Sequence, residues 1–222
     1  MTRTKSKILV LGVGLLAGLL ARPSRAEGPP PSLDAPDLGQ GPFASMHMLL
    51  QKTILKINVA TIDVRVDKPT QVRLAELARD KTYSDGLEQQ LAPVAINAPR
   101  AVVQMQFVRN IPLNRWIGVV RDNLEQARDA GLITREIEQR VSQGLPTWFA
   151  ALSDRGYEKG DRLIYSVTPD ALRTVVVSAG GQMLLDITER DPGGRRVVLA
   201  SYFAPKSDFR EPLLRSLVEN KR

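Results

Sequence analysis

TILKINVATIDVRV, residues 53–66, is the longest run with a strand signature in this chain. Leu55, Ile57 and Val59 alternate with Lys56 and Asn58, after which Ile62, Val64 and Val66 alternate with Asp63 and Arg65. A period of two is what a strand with one buried face produces. The phase changes midway, because odd positions carry the apolar face before Ala60 and even positions carry it after Thr61. A regular strand would turn half of that hydrophobic set to water. The alternation therefore predicts a bulge near Ala60 and Thr61, or a transfer from one covered face to another.

On the N-terminal side, Met46, Met48 and Leu50 alternate with His47 and Leu49, which predicts a short strand over residues 44–50. On the C-terminal side, Pro69 and Thr70 open a helix with Val72, Leu74 and Leu77 on one side. Ser84 and Asp85 cap a short helix through Leu91, and Pro93 and Pro99 mark loop. AVVQMQFV, residues 101–108, is a second strand, with Val103, Met105 and Phe107 facing one way. Asn110 and Pro112 follow as cap and first-turn residue of a helix whose stripe is Leu113, Trp116, Ile117, Val120, Leu124 and Ala127. Gly131 stands where a glycine ends a helix. Thr134 caps the next one, with Ile137, Val141 and Leu145 inward and Pro146 interrupting it.

Residues 163–167, 173–178 and 183–188 read as three strands joined by connections short enough for antiparallel hairpins. Asp191-Pro192-Gly193-Gly194 ends this meander. Residues 197–203 suit a strand by propensity and a helix by length. Ser207 or Asp208 caps a last helix carrying Leu213, Leu214, Leu217 and Val218. This order predicts an α+β domain, with helices laid on one face of a large, mostly antiparallel sheet.

Arg3, Lys5 and Lys7 precede an apolar run over residues 8–20, and Ser24-Arg25-Ala26 follows as a small-residue cleavage site. Residues 1–26 thus read as a secretory signal peptide, residues 27–42 as a flexible linker outside the core, and residues 43–222 as the domain. Gly12-Val13-Gly14-Leu15-Leu16-Ala17 matches a dinucleotide fingerprint, but the basic start and Pro29-Pro30-Pro31 leave no βαβ unit to carry it. Removing residues 1–26 takes five basic residues and no acidic one, lowering the formal net charge from +7 to +2. The remaining chain has no concentrated basic patch for nucleic acid and no further apolar run long enough to span a bilayer. It has no cysteine, which excludes disulfides, thiolate metal sites and a lipidated N-terminal cysteine. The expected location is the periplasm, with no cofactor.

No catalytic constellation is recognisable. His47 is the only histidine, so neither a metal site nor a triad is expected. Asp122, Glu125, Asp129, Glu136 and Glu138 sit among Arg121, Arg128 and Arg135 at helical spacing, which predicts a solvated ion-pair face rather than an acid-base pair. Lys56 and Asn58 share one side of the central strand and would face a ligand if helices covered that side. Trp116 is a candidate for a pocket wall and Tyr165 for a hydroxyl donor to a ligand.

Three local patterns, in their order and spacing, resemble the bacterial chalcone isomerase-like family. They are residues 52–63, then Gln106-Phe107-Val108-Arg109-Asn110-Ile111-Pro112 before a helix, then Tyr157-Glu158-Lys159-Gly160-Asp161-Arg162 before the meander. The resemblance implies an open-faced sandwich with a ligand cleft between sheet and helices. It also implies that isomerases of the family act through an arginine near the first strands, and fatty-acid-binding relatives through that arginine with a tyrosine. Here the tyrosine falls on Asn58 and the arginine on Met46 or Leu50, which offer no fork of donors for an oxygen. The expected function is non-catalytic binding of an apolar small molecule such as a fatty acid or lipid, with Lys56, Asn58, Trp116 and Tyr165 as ligand-binding residues. The alternative is an isomerase of a chalcone-like enone, with Lys56 as its cation.

Overall fold

A computed structural model describes residues 38–52 and 57–219. The expected signal peptide and Lys56 lie outside the described residues. Six strands form one sheet in chain order, every neighbour antiparallel: β1 (Ser45–Lys52), β2 (Ile57–Val66), β3 (Ala101–Phe107), β4 (Arg162–Val167), β5 (Leu172–Val177) and β6 (Met183–Glu189). The helices are α1 (Lys68–Ala78), α2 (Asp85–Ile96), α3 (Leu113–Asp129), α4 (Arg135–Trp148), α5 (Pro192–Phe203) and α6 (Arg210–Glu219). Their apolar faces join the inward residues of the strands in one core. The α+β architecture with a large antiparallel sheet is the one the order of elements implied.

The phase change in β2 is a bulge. Leu50 pairs with Ala60 and Gln51 with Asn58, so Val59 is an extra residue without a partner on β1. From Ala60 onward the even positions Ala60, Ile62, Val64 and Val66 are fully buried, while Asn58 is exposed. Val59 is released from strict alternation and packs against the core. The β1 edge is covered where the amide of His47 donates to Ser216 Oγ of α6 at 2.9 Å, so one edge donor is unavailable to another chain.

Asp67 joins two elements. It is the N-cap of α1, where one carboxylate oxygen accepts from the Thr70 amide at 2.9 Å and the other from the Arg100 amide at 3.1 Å, just ahead of β3. It is almost fully buried. Asp67→Ala removes a cap and orphans a second amide, and should cost about 2 kcal/mol of unfolding free energy in urea titration. A loss below about 0.5 kcal/mol would contradict that role.

Several local expectations are corrected. Val72 of α1 is exposed, and Thr70, Leu74 and Ala78 make the buried face instead. Pro93 and Pro146 lie inside α2 and α4 rather than ending them. Both prolines are exposed, so the carbonyl each leaves without a helical donor is reachable by water. Pro112, not Asn110, is the N-cap residue of α3; the Asn110 side chain accepts from the Lys159 amide at 2.9 Å. Asp191-Pro192-Gly193-Gly194 ends the meander as expected and also begins α5, with the Asp191 carboxylate accepting from the Gly193 amide at 2.9 Å. Residues 197–204 are helical or adjoin the helix and all are buried, so no polar phase marks a helical period. In the lead-in, Leu38 is buried beside Val102, Ile164, Val175 and Val177 on the other sheet face, and the Gly39 amide donates to Val66 O at 2.9 Å. These residues therefore contribute to packing.

Candidate functional site

A cavity of about 450 Å³ separates the sheet from α3, α4 and α5. That volume lies within the roughly 300–1,000 Å³ of small-molecule sites. The sheet side includes Leu50, Val59, Met105, Phe107 and Ile187; the helical side includes Trp116, Val120 and Leu124 of α3, Leu145 and Trp148 of α4, and Val198 of α5. The inward alternation of β3 and the stripe of α3 thus do two jobs, closing the core and lining the space. At one end the aromatic residues form a wall: Phe107 stacks on Tyr157 with ring centroids 4.1 Å apart, and Trp116 lies 5.3 Å from Tyr157 and 4.9 Å from Phe149.

Polar side chains interrupt the apolar wall, among them Asn123, Tyr165, Thr174 and Tyr202, and Ser201, whose hydroxyl donates to Val198 O at 2.9 Å. Asn123 (8% exposed), Thr174 (9%) and Tyr202 (6%) are buried, and Tyr165 is half-buried. The side chains of Asn123, Tyr165, Thr174 and Tyr202 make no hydrogen bond to another described residue. Burial raises the pKa of Tyr165, with a smaller contribution from the neighbouring Tyr202 phenol; burial alone raises that of Tyr202. Both phenols remain neutral at physiological pH and can donate to a ligand oxygen. Tyr157, stacked behind the wall, is fully buried with its phenol oxygen also lacking a partner.

The cavity ends carry charge. Arg109, which follows β3, and Arg115, in the first turn of α3, are exposed and belong to the lining. Glu189, the last residue of β6, belongs to it as well. Glu189 is 3.8 Å from Arg140, which also pairs with Asp191. Desolvation raises the pKa of Glu189, partly offset by Arg140 and reinforced by Asp191.

Trp116 and Tyr165, named from the sequence, line this cavity together. Asn58 does not: it is exposed, and its side-chain oxygen accepts from Gln51 Nε2 at 2.9 Å, because the bulge turns Val59 inward and leaves Asn58 outward. Met46 is fully buried in the core and Leu50 lines the cavity, so both positions assigned to the family arginine are apolar. His47 is exposed and paired with Asp63 at 2.6 Å. Among the described residues no cluster of His, Asp and Glu is arranged to hold a metal. The expected surface ion pairs form around Arg128, which reaches Glu125 at 3.0 Å, Asp129 at 2.7 Å and Glu138 at 3.4 Å.

Sequence reasoning missed Asn123, Thr174, Tyr202, Arg109, Arg115 and Glu189. Asn123 had a signal, since it stands three residues after Val120 and seven after Trp116, on the apolar stripe of α3. Tyr202 had none, lying in the segment whose secondary structure was ambiguous.

No protein-family profile and no curated protein matches the chain. Among solved structures it is similar to the crystal structure of the fatty-acid binding protein AtFAP1 of Arabidopsis thaliana, at 11% identity and a TM-score of 0.56. The match covers 79% of this chain and 85% of that one. Helices against an antiparallel sheet, superposable over most of both chains, give this protein the chalcone isomerase-like fold.

Proposed function

We propose that this protein binds an apolar or amphipathic small molecule of the fatty-acid class without transforming it. The observation that carries this reading is the mainly apolar cavity of about 450 Å³ between the sheet and its helices. A hydrocarbon chain in contact with the wall gains roughly 25 cal/mol per Å² removed from water. The fold neighbour is itself a fatty-acid binding protein, which supports the same ligand class here. Met46 and Leu50 support a binding role over isomerisation, because neither can hold an enolate oxygen. The segment over residues 1–26 supports placing that role in the periplasm, after export.

The test is to express the full chain, purify the folded product, denature it and extract bound lipid for mass spectrometry. A near-stoichiometric acyl compound is expected. Reloading the stripped protein at about a hundred times Kd should add about 2.7 kcal/mol, raising the melting temperature by roughly 5–10 °C. An empty protein whose melting temperature is unmoved by any long-chain compound would count against binding.

A further inference from the structure

The two ends of the cavity differ in charge, and this gives a ligand a direction. β3 and β6 are separated by three antiparallel steps, so the C-terminal ends of these strands lie at opposite ends of the sheet. Arg109 follows the end of β3, and Glu189 is the end of β6. Arg109 and Arg115 are exposed residues of the wall, and neither guanidinium is bonded to a carboxylate among the described residues. Arg115 also sits in the first turn of α3, which has no acidic residue there and no side-chain cap. A cation is poorly placed at the positive end of a helix unless an anion is held beside it. At the far end Glu189 and Asp191 share Arg140, leaving two acids to one base. An anionic group there would meet like charge.

Resting on the binding function above, we propose that the ligand is a long-chain carboxylate whose head group is held at the mouth by Arg109 and Arg115. Its chain runs inward past Trp116 toward the Glu189 end. Recognition by two forked cations at the rim, over an apolar interior, differs from anchoring a head group on a buried arginine. It leaves the tail as the part that is buried.

Calorimetric titration with dodecanoate, dodecan-1-ol and dodecyltrimethylammonium separates head from tail, since the three share a chain. The stripped wild-type protein should bind dodecanoate at least about tenfold more tightly than the alcohol, and the ammonium more weakly than either. The double variant R109Q/R115Q, with an unchanged melting temperature, should bind dodecanoate and dodecan-1-ol within about twofold of each other. Equal affinities in the wild type, or a carboxylate preference that survives in the double variant, would overturn the head-group assignment while leaving the cavity as the binding site. Failure of the wild type to bind any of the three would overturn both.

Discussion

Val120→Trp is expected to abolish ligand binding, lowering affinity by a hundredfold or more, a loss of about 2.8 kcal/mol. Val120 is a half-buried residue of α3 that faces the cavity. A larger side chain there has empty space to enter, so the variant should melt at the wild-type temperature or above it. In a core without a cavity the same substitution would cost about 1–3 kcal/mol through overpacking. Urea titration and calorimetric binding on one preparation therefore read two consequences of one feature. Retained binding, or a stability loss in the overpacking range, would mean that the space between sheet and helices is not available to a ligand.

Asp161→Ala is expected to be the most damaging substitution for stability outside the apolar core. The turn Lys159-Gly160-Asp161 leads into β4, and its Asp161 carboxylate is fully buried. It accepts from Arg155 at 2.8 Å and 3.4 Å, from the Glu158 amide at 2.9 Å and from the Ala179 amide at 3.2 Å. It therefore ties the entry of β4 to the loop between β5 and β6. Removing it leaves two amides without an acceptor and Arg155 with Glu158, 2.8 Å away, as its remaining carboxylate partner. Such losses cost about 3–5 kcal/mol for buried pairs, and the lower end applies because Arg155 keeps a quarter of its surface in water. The melting temperature should fall by roughly 6–12 °C. A change below about 1 kcal/mol in urea would show that water replaces these bonds freely.

Much of the fold was legible because period-two alternation survives wherever one face of a strand is covered. β2, β3 and the three strands of the meander all carry it, and the stripe of α3 marks the layer above them. Legibility failed where that contrast disappears. α5 is enclosed between sheet and helices, so residues 197–203 show no polar phase. Pro93 and Pro146 looked like helix ends, yet both ride the solvent side of a helix, where a lost hydrogen bond costs least. The site was half legible for the same reason. Trp116 and Tyr165 announce themselves as an aromatic residue on an apolar stripe and a phenol in a strand. Asn58 misled because alternation tells which residues share a face, and not which face is covered. The bulge that repaired the phase turned Val59 to the cavity and Asn58 to water.

The proposed preference for binding over isomerisation and the proposed ligand class have a common origin in residues of β1. Where a cation would be needed to polarise an enone, the inward positions are Met46 and Leu50, and the charge appears instead at the rim, on Arg109 and Arg115. A site with neutral donors inside and cations outside suits holding an amphiphile better than reacting with one.

The most direct measurement uses the two tryptophans of the chain, Trp116 and Trp148, both of which line the cavity. A fatty acid brominated along its chain quenches tryptophan fluorescence only at close approach. Titration of the stripped protein should therefore give saturable quenching of most of the emission at one equivalent, reversed by an unbrominated fatty acid of the same length. Emission that is unchanged, or that falls only in proportion to bromolipid added without saturating, would contradict a ligand bound between the sheet and its helices.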